Sequence, residues 1–178
     1  MAGIIMFRAF SIFILVFILV LGPLILVSNS LFTYSNQEEI RDFLFFGEDL
    51  EGFTINEVSH MEDVRFLLNL GSFFLTLSFI FVSLYFIFRG FDILKTSSLI
   101  SFVLVFFVGI IGFFNFSFSF EVFHSIFFPQ GNWMFPADSK LIELFPVNYF
   151  IEKSILVFFL TISLIFVVYL LSHYKSAR

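Results

Sequence analysis

Cysteine is absent from the 178 residues. No disulfide, thiolate nucleophile or cysteine-based metal or redox site is available, and thiol oxidoreductase chemistry is excluded. Charge is also scarce, at 13% of residues against about 25% in an ordinary soluble domain. Histidine (3), proline (4) and tryptophan (1) are rare enough that the position of each carries information. What fills the chain instead is apolar: 60% of residues are hydrophobic, 34 of them phenylalanine, and the mean hydropathy is +1.04. Such a chain is too apolar to be soluble. The net charge of −5 hides a strong separation of charges along the sequence.

Four uncharged runs are long enough to cross a hydrocarbon core of ~30 Å, which takes about 20 helical residues. They cover about 9–27, 66–88, 97–119 and 147–171, the last with Glu152 and Lys153 near its start. Spanning strands would be shorter and alternating. The predicted fold class is therefore an all-α membrane protein: one membrane domain of four transmembrane helices with a small extracytoplasmic cap formed by 28–65 and 120–146. The first run, with Arg8 as a basic end and Val27, Ser28 and Asn29 near a potential cleavage point, has the outline of a secretory signal. Its apolar core is long for that purpose, so a retained anchor is expected, kinked at Gly22 and Pro23 and accommodated by neighbouring helices.

Orientation follows from lysine and arginine. With the N-terminus in the cytoplasm, Arg8, Arg89, Lys95, Lys175 and Arg178 lie inside in short segments, accompanied by Asp92 alone among the acids. The two longer segments, the second counted on to Lys153, then hold Arg41, Arg65, Lys140 and Lys153 together with 13 of the 14 acidic residues. Both termini are expected in the cytoplasm and both long segments outside.

In the first of these segments Ile40, Phe43 and Leu44 recur at helical spacing and Gly47 supplies a stop, which predicts a short amphipathic helix over 37–46 lying on the bilayer surface. Thr54 and Glu57 fit a capping box, so a helix is expected to start there and continue into the second span. On it Glu57, His60 and Asp63 fall on one polar face. The second segment has turn signals at 129–132 and 135–138, with Trp133 between them suited to the headgroup level. Asp138 is the expected N-cap of a short helix closed by Pro146. Gly109 and Gly112, with Ser72 and Thr76, are spaced for close helix approach.

The chemistry available centres on His60, at the outer end of the second span, and His124, just beyond the third. Imidazole gives and takes protons near neutral pH. Glu57 or Asp63 is expected to orient His60, and Glu121, three residues before His124, to do the same there. Taken alone, each histidine is equally well an aromatic-belt residue with a polar tip, and His173 reads as a solvated terminal residue. Ser59 and Ser125 adjoin the histidines, but neighbours on a helix point about 100° apart, so a serine dyad would need cross-pairing. Zinc held by the histidines with Glu57, Asp63 or Glu121 lacks a supporting motif, and bis-histidine haem would sit at the rim rather than within the bundle. Phe120, Phe123, Phe127, Phe128 and Trp133 are ordinary interfacial packing or the wall of a pocket for an acyl chain. Arg65 is a snorkelling anchor or an oxyanion partner.

Two stretches go further. EVSHMEDVR at 57–65 resembles the E-x-x-H-x-x-D-V-K/R element of the lipoprotein intramolecular transacylase family. FHSIFF at 123–128, continuing through Trp133, Pro136, Asp138, Leu141, Ile142, Leu144, Phe145 and Pro146 to Phe150, resembles that family's second, longer block. Gln130, Gly131 and Asn132 stand where the family usually carries an acidic pair or Asn-Asp. The resemblance implies a small four-span enzyme that moves the sn-2 acyl chain of a diacylglyceryl-modified cysteine onto that cysteine's own α-amino group. It implies that His60 and His124 match the two catalytic histidines. The expected partners are a diacylated lipoprotein N-terminus and membrane lipids, with no nucleic acid, cofactor or metal. The alternatives are a non-enzymatic four-helix membrane subunit with a partner-binding cap, and a metal-dependent membrane hydrolase.

Overall fold

The structure is a computed structural model and describes residues 2–27, 32, 37–89 and 91–176. It is all-helical, with no strand among the described residues. In chain order the helices are α1 (Ala2–Val27), α2 (Glu38–Phe46), α3 (Ile55–Arg89), α4 (Leu94–Phe114), α5 (Phe116–Phe127), α6 (Lys140–Leu144) and α7 (Val147–Ser176). Four of them, α1, α3, α4 and α7, are long and apolar enough to cross a membrane, and the protein is an integral membrane protein. α1 runs through Pro23. Ser28 and Asn29, part of the potential cleavage point, lie outside the described residues.

The third uncharged run departs from expectation. It was predicted as one helix through 119, but α4 ends at Phe114 and α5 begins at Phe116. Asn115 makes the break: its backbone is non-helical (φ −149°, ψ 77°) and its side-chain oxygen accepts from the Phe118 amide at 3.1 Å. An asparagine that bonds the backbone ahead of it satisfies one of the orphan donors at a helix start, so it begins a new helix more readily than it continues an old one.

The chain divides into two compact units. The first comprises Met1–Leu26, Gly71–Ile110 and Leu156–Arg178. Its core joins Leu15, Ile18 and Leu19 of α1 to Leu75, Val82 and Tyr85 of α3, Ile93, Leu94 and Val105 around α4, and Ile165 of α7. Gly109 allows α4 to approach α7: a Cβ there would stand 2.4 Å from the Phe158 ring. Gly112 meets nothing within 4 Å, so only one of this glycine pair acts as a contact point.

The second unit comprises Val27–Leu70 and Ile111–Ile155. Its core is Ile40, Phe43 and Leu44 of α2, Met61 of α3 and Leu141 of α6. The apolar stripe of α2 therefore packs into protein rather than lying on the bilayer, and Ile40 is wholly buried. Gly47 ends α2 as expected, in the left-handed conformation (φ 78°), its N–H donating to the Asp42 and Phe43 carbonyls. Gln37, at the other end of α2, donates to the Leu144 carbonyl at 2.8 Å.

The capping box forms. Glu57 Oε2 accepts from Thr54 N at 2.7 Å and from Thr54 Oγ1 at 2.8 Å, and Glu57 N donates to Thr54 Oγ1 at 3.3 Å. The other carboxylate oxygen accepts from Leu141 N at 3.0 Å, so one buried side chain ties the start of α3 to the start of α6. The N-cap of α6 is Ser139, whose hydroxyl accepts from Ile142 N, and not Asp138, which is exposed. Lys140 adds a clamp from the rim: it pairs with Glu39 at 3.1 Å, donates to the Glu51 carbonyl at 2.7 Å and lies 3.7 Å over the Phe53 ring.

Because Glu57 serves three donors at once, its truncation leaves the buried Leu141 amide unpaired. Glu57→Ala is expected to cost about 1–3 kcal/mol of stability, seen as a lower unfolding temperature of the detergent-solubilised protein. Glu121→Ala, at an exposed position without such bonds, is expected to leave the unfolding temperature unchanged.

Candidate active site

His60 stands in the second turn of α3, carried by the capping box beneath it, and His124 near the end of α5, the helix that Asn115 starts. The uncharged stretch of α3 is 66–88; residues 55–65, with Glu57, Glu62, Asp63 and Arg65, precede it. Both histidines are 8% exposed. Their ring centroids are 6.0 Å apart and the planes differ by 27°, so the expectation that the two imidazoles meet is met.

The walls are aromatic. Phe128 lies 4.7 Å from His60 and 5.5 Å from His124, and is 3% exposed. Trp133 lies 4.9 Å from His124, and Phe123 5.4 Å. Phe127 touches Phe123 but stands outside the ring of groups around the histidines, at 47% exposure. Phe120, also expected, lies 4.0 Å from His124, and one further ring completes the pocket: Phe135, 5.6 Å from His60. Phe120 sits one helical turn before His124 and was legible by spacing; Phe135 comes from the second turn and had no periodicity to reveal it.

The carboxylates are arranged differently from the sequence-based expectation. Glu57 is committed to Thr54 and Leu141 and does not orient His60. Glu121 is exposed, and the orienting partner of His124 is a backbone group: Nδ1 lies 2.8 Å from the Phe120 carbonyl. A carbonyl only accepts, so Nδ1 carries the proton and Nε2 keeps the lone pair. Asp63 accepts from Gln130 Nε2 at 2.5 Å and from Asn132 Nδ2 at 2.7 Å. Asn132 also donates to Ser59 Oγ at 3.3 Å. This polar group was missed because asparagine and glutamine in a turn look like loop chemistry. Arg65 packs over the Phe43 ring at 4.6 Å and reaches the Phe43 carbonyl at 3.5 Å; it braces α2 and not the histidines. Asp138 has no part in the pocket. Ser59 is engaged by Asn132 and Ser125 is exposed, so no Ser–His pair forms.

Burial sets the proton affinities. It depresses His60 to about 4, helped by the charge of His124 and opposed by the Asn132 side chain and the Asp63 carboxylate. Burial also lowers His124, against the Phe120 carbonyl. Losing water disfavours the imidazolium, so both rings are neutral at pH 7. Among the described residues no group of three or more His, Asp or Glu side chains is placed to hold a metal ion. A cleft of about 340 Å³ opens beside the start of α3, lined by Phe53, Ile55, Val58, Ser59 and Glu62. Neither histidine lines it.

Comparison with known proteins bears on the same residues. The model of a family described as lipoprotein intramolecular transacylase Lit matches residues 22–150, a range that holds both histidines and every ring around them. An uncharacterized protein of Aquifex aeolicus (strain VF5) is 35% identical over 109 residues, which is 59% of this chain and 49% of that protein. The match thus spans about half the length of that relative. No solved structure matches. By a family match that takes in most of its length, the chain belongs to the lipoprotein intramolecular transacylase family.

Proposed function

We propose that this protein is a membrane acyltransferase that moves the sn-2 acyl chain of a diacylglyceryl-cysteine lipoprotein to the cysteine's own α-amino group, with His60 and His124 transferring the protons. One observation carries the reading: two neutral, buried imidazoles 6.0 Å apart inside an aromatic enclosure. In that reading residues 28–65 and 120–146 form an extracytoplasmic cap, and both termini face the cytoplasm, as the distribution of lysine and arginine supports.

Donor ester and acceptor amine belong to one molecule, so the reaction requires no acyl-enzyme and no activated serine. The C–N amide bond forms and the glyceryl C–O ester bond breaks. One proton leaves nitrogen and one arrives on the glyceryl oxygen. His124, with Nδ1–H held by Phe120 and Nε2 unprotonated, is suited to take the amine proton. His60, depressed to about 4, relays that same proton: it holds it only transiently and releases it to the departing glyceryl oxygen, so the pair starts and ends neutral. Each transfer is worth about 10²–10⁴-fold. Confining donor and acceptor in a near-attack geometry contributes roughly 7–11 kcal/mol. The rings of Phe120, Phe128, Trp133 and Phe135 exclude water, which protects the ester from hydrolysis and strengthens the remaining electrostatics.

In the full-length protein, His60→Ala and His124→Ala are each expected to fold and to lower acyl transfer by roughly 10²–10⁴-fold. The assay uses a diacylated lipopeptide and tandem mass spectrometry that locates the acyl group on nitrogen, because an isomerisation leaves the total mass unchanged. If both variants transfer at the unaltered rate, the two-histidine mechanism falls; if the natural protein transfers nothing, a non-enzymatic membrane subunit remains.

A second expectation follows from the depressed His60. The unfolded ring titrates near 6.5 and the folded one near 4, so between these values the unfolded chain binds the extra proton. The neutral ring's contribution is intact above about pH 6.5 and is lost as pH falls towards 4, by at most about 3 kcal/mol. The unfolding temperature is expected to drop between pH 7 and pH 5, and to drop less in His60→Gln.

A further inference from the structure

Two buried polar atoms in the second unit are complementary and not otherwise used. His60 Nδ1 and Asn132 Oδ1 are both shielded from solvent, and each is without a hydrogen-bond partner in the structure. The Asn132 side chain favours the charged form of His60, which an amide does by turning its oxygen towards a ring N–H.

The orientation of that amide is dictated from its other side. Asn132 Nδ2 donates to Asp63 Oδ2 at 2.7 Å and to Ser59 Oγ at 3.3 Å. A carboxylate accepts and never donates, so the NH₂ group must face Asp63, and the oxygen must face away. The loop is built to hold this arrangement. Gly131 N donates to the Phe128 carbonyl at 3.1 Å and Gly131 takes a positive φ of 79°, a conformation in which a side chain is strained. That turn brings Gln130 and Asn132 together onto Asp63, with Gln130 Nε2 2.5 Å from the same carboxylate oxygen.

We infer that Asn132, oriented by Asp63 and Ser59, is a positioning residue that holds His60 in the Nδ1–H tautomer and leaves Nε2 as its proton-transferring atom. The inference rests on the reading of His60 as a proton-transfer residue, but its structural content is independent of any reaction. It explains why α3 carries Ser59 and Asp63 around His60 although neither touches the imidazole: they act through the amide. It also gives both histidines one pattern, Nδ1–H on an oxygen acceptor and Nε2 free, supplied by backbone for His124 and by a side chain for His60. The groups facing His60 that titrate are His124 of α5 and Asp63 of α3; Asn132, Phe128 and Phe135 carry no charge.

The test records ¹⁵N chemical shifts of ¹⁵N-histidine-labelled full-length protein in detergent at alkaline pH, with His60 assigned by comparison with His60→Gln. His60 is expected to be Nδ1-protonated in the natural protein and to lose that preference in Asn132→Leu, where acyl transfer falls roughly tenfold or more. The exchange variant Asp63→Asn/Asn132→Asp keeps the pair bonded and sets a carboxylate against the ring. It is expected to restore the Nδ1–H tautomer and to raise the pH at which His60 titrates by a unit or more; it also serves should Asn132→Leu fail to fold. An Nε2–H tautomer in the natural protein, or a His60 tautomer unaffected by either variant, overturns the inference. A tautomer that responds as expected in a protein with no transfer activity at all supports it and overturns the proposed function instead.

Discussion

Two imidazoles 6.0 Å apart cannot both hold a proton in a site stripped of water. At an effective dielectric constant of ~20, two unit charges at that separation repel by about 3 kcal/mol, in addition to the cost of burying either one. The pair is therefore held neutral, with its proton-accepting capacity intact, and at most one proton passes through it at a time. The acyl transfer proposed for this protein asks for this: one proton removed from nitrogen and one delivered to oxygen, without a permanent charge in an apolar enclosure. The aromatic rings around the pair are the means of desolvation as well as its packing.

Holding two side chains in this relation is a matter of where helices begin. The Thr54–Glu57 capping box starts α3 so that His60 falls in its second turn, and Asn115 starts α5 so that His124 falls near its end. Glu57 then reaches Leu141 N, and the small core of Ile40, Phe43, Leu44, Met61 and Leu141 closes around that link. Two of the polar systems in the second unit are separate from each other and bear on the histidines in different ways. One, on Glu57, sets the register of α3 and α6. The other, on Asp63, reaches the catalytic candidates through Asn132.

Much of this was legible before the structure. Four uncharged runs identify the spans because length and hydropathy suffice to cross a membrane, and the capping box and the Gly47 stop are local signals that survive in the fold. The two histidines were legible as a pair because each lies at the end of an apolar run. What escaped was set by partners distant in sequence. Glu57 was assigned to His60 because helical spacing puts both on one face, but the Leu141 amide, 84 residues away, offers it a buried hydrogen bond. The α2 stripe reads the same whether it faces lipid or protein, and only Met61 and Leu141 decide the matter. Asn115 passed unnoticed because it carries no charge, although one side-chain bond to Phe118 is enough to divide the run. Arg65 likewise finds the Phe43 ring and carbonyl rather than an anionic ligand.

The claim on which the account turns is that the two rings act as one unit on one substrate. The most direct measurement compares acyl transfer by the double variant His60→Ala/His124→Ala with each single variant under identical lipid and pH. Groups that share a single proton-transfer cycle are strongly non-additive, so the double variant is expected to be about as slow as the slower single variant. Losses that multiply, or a single variant that retains full rate, would contradict it.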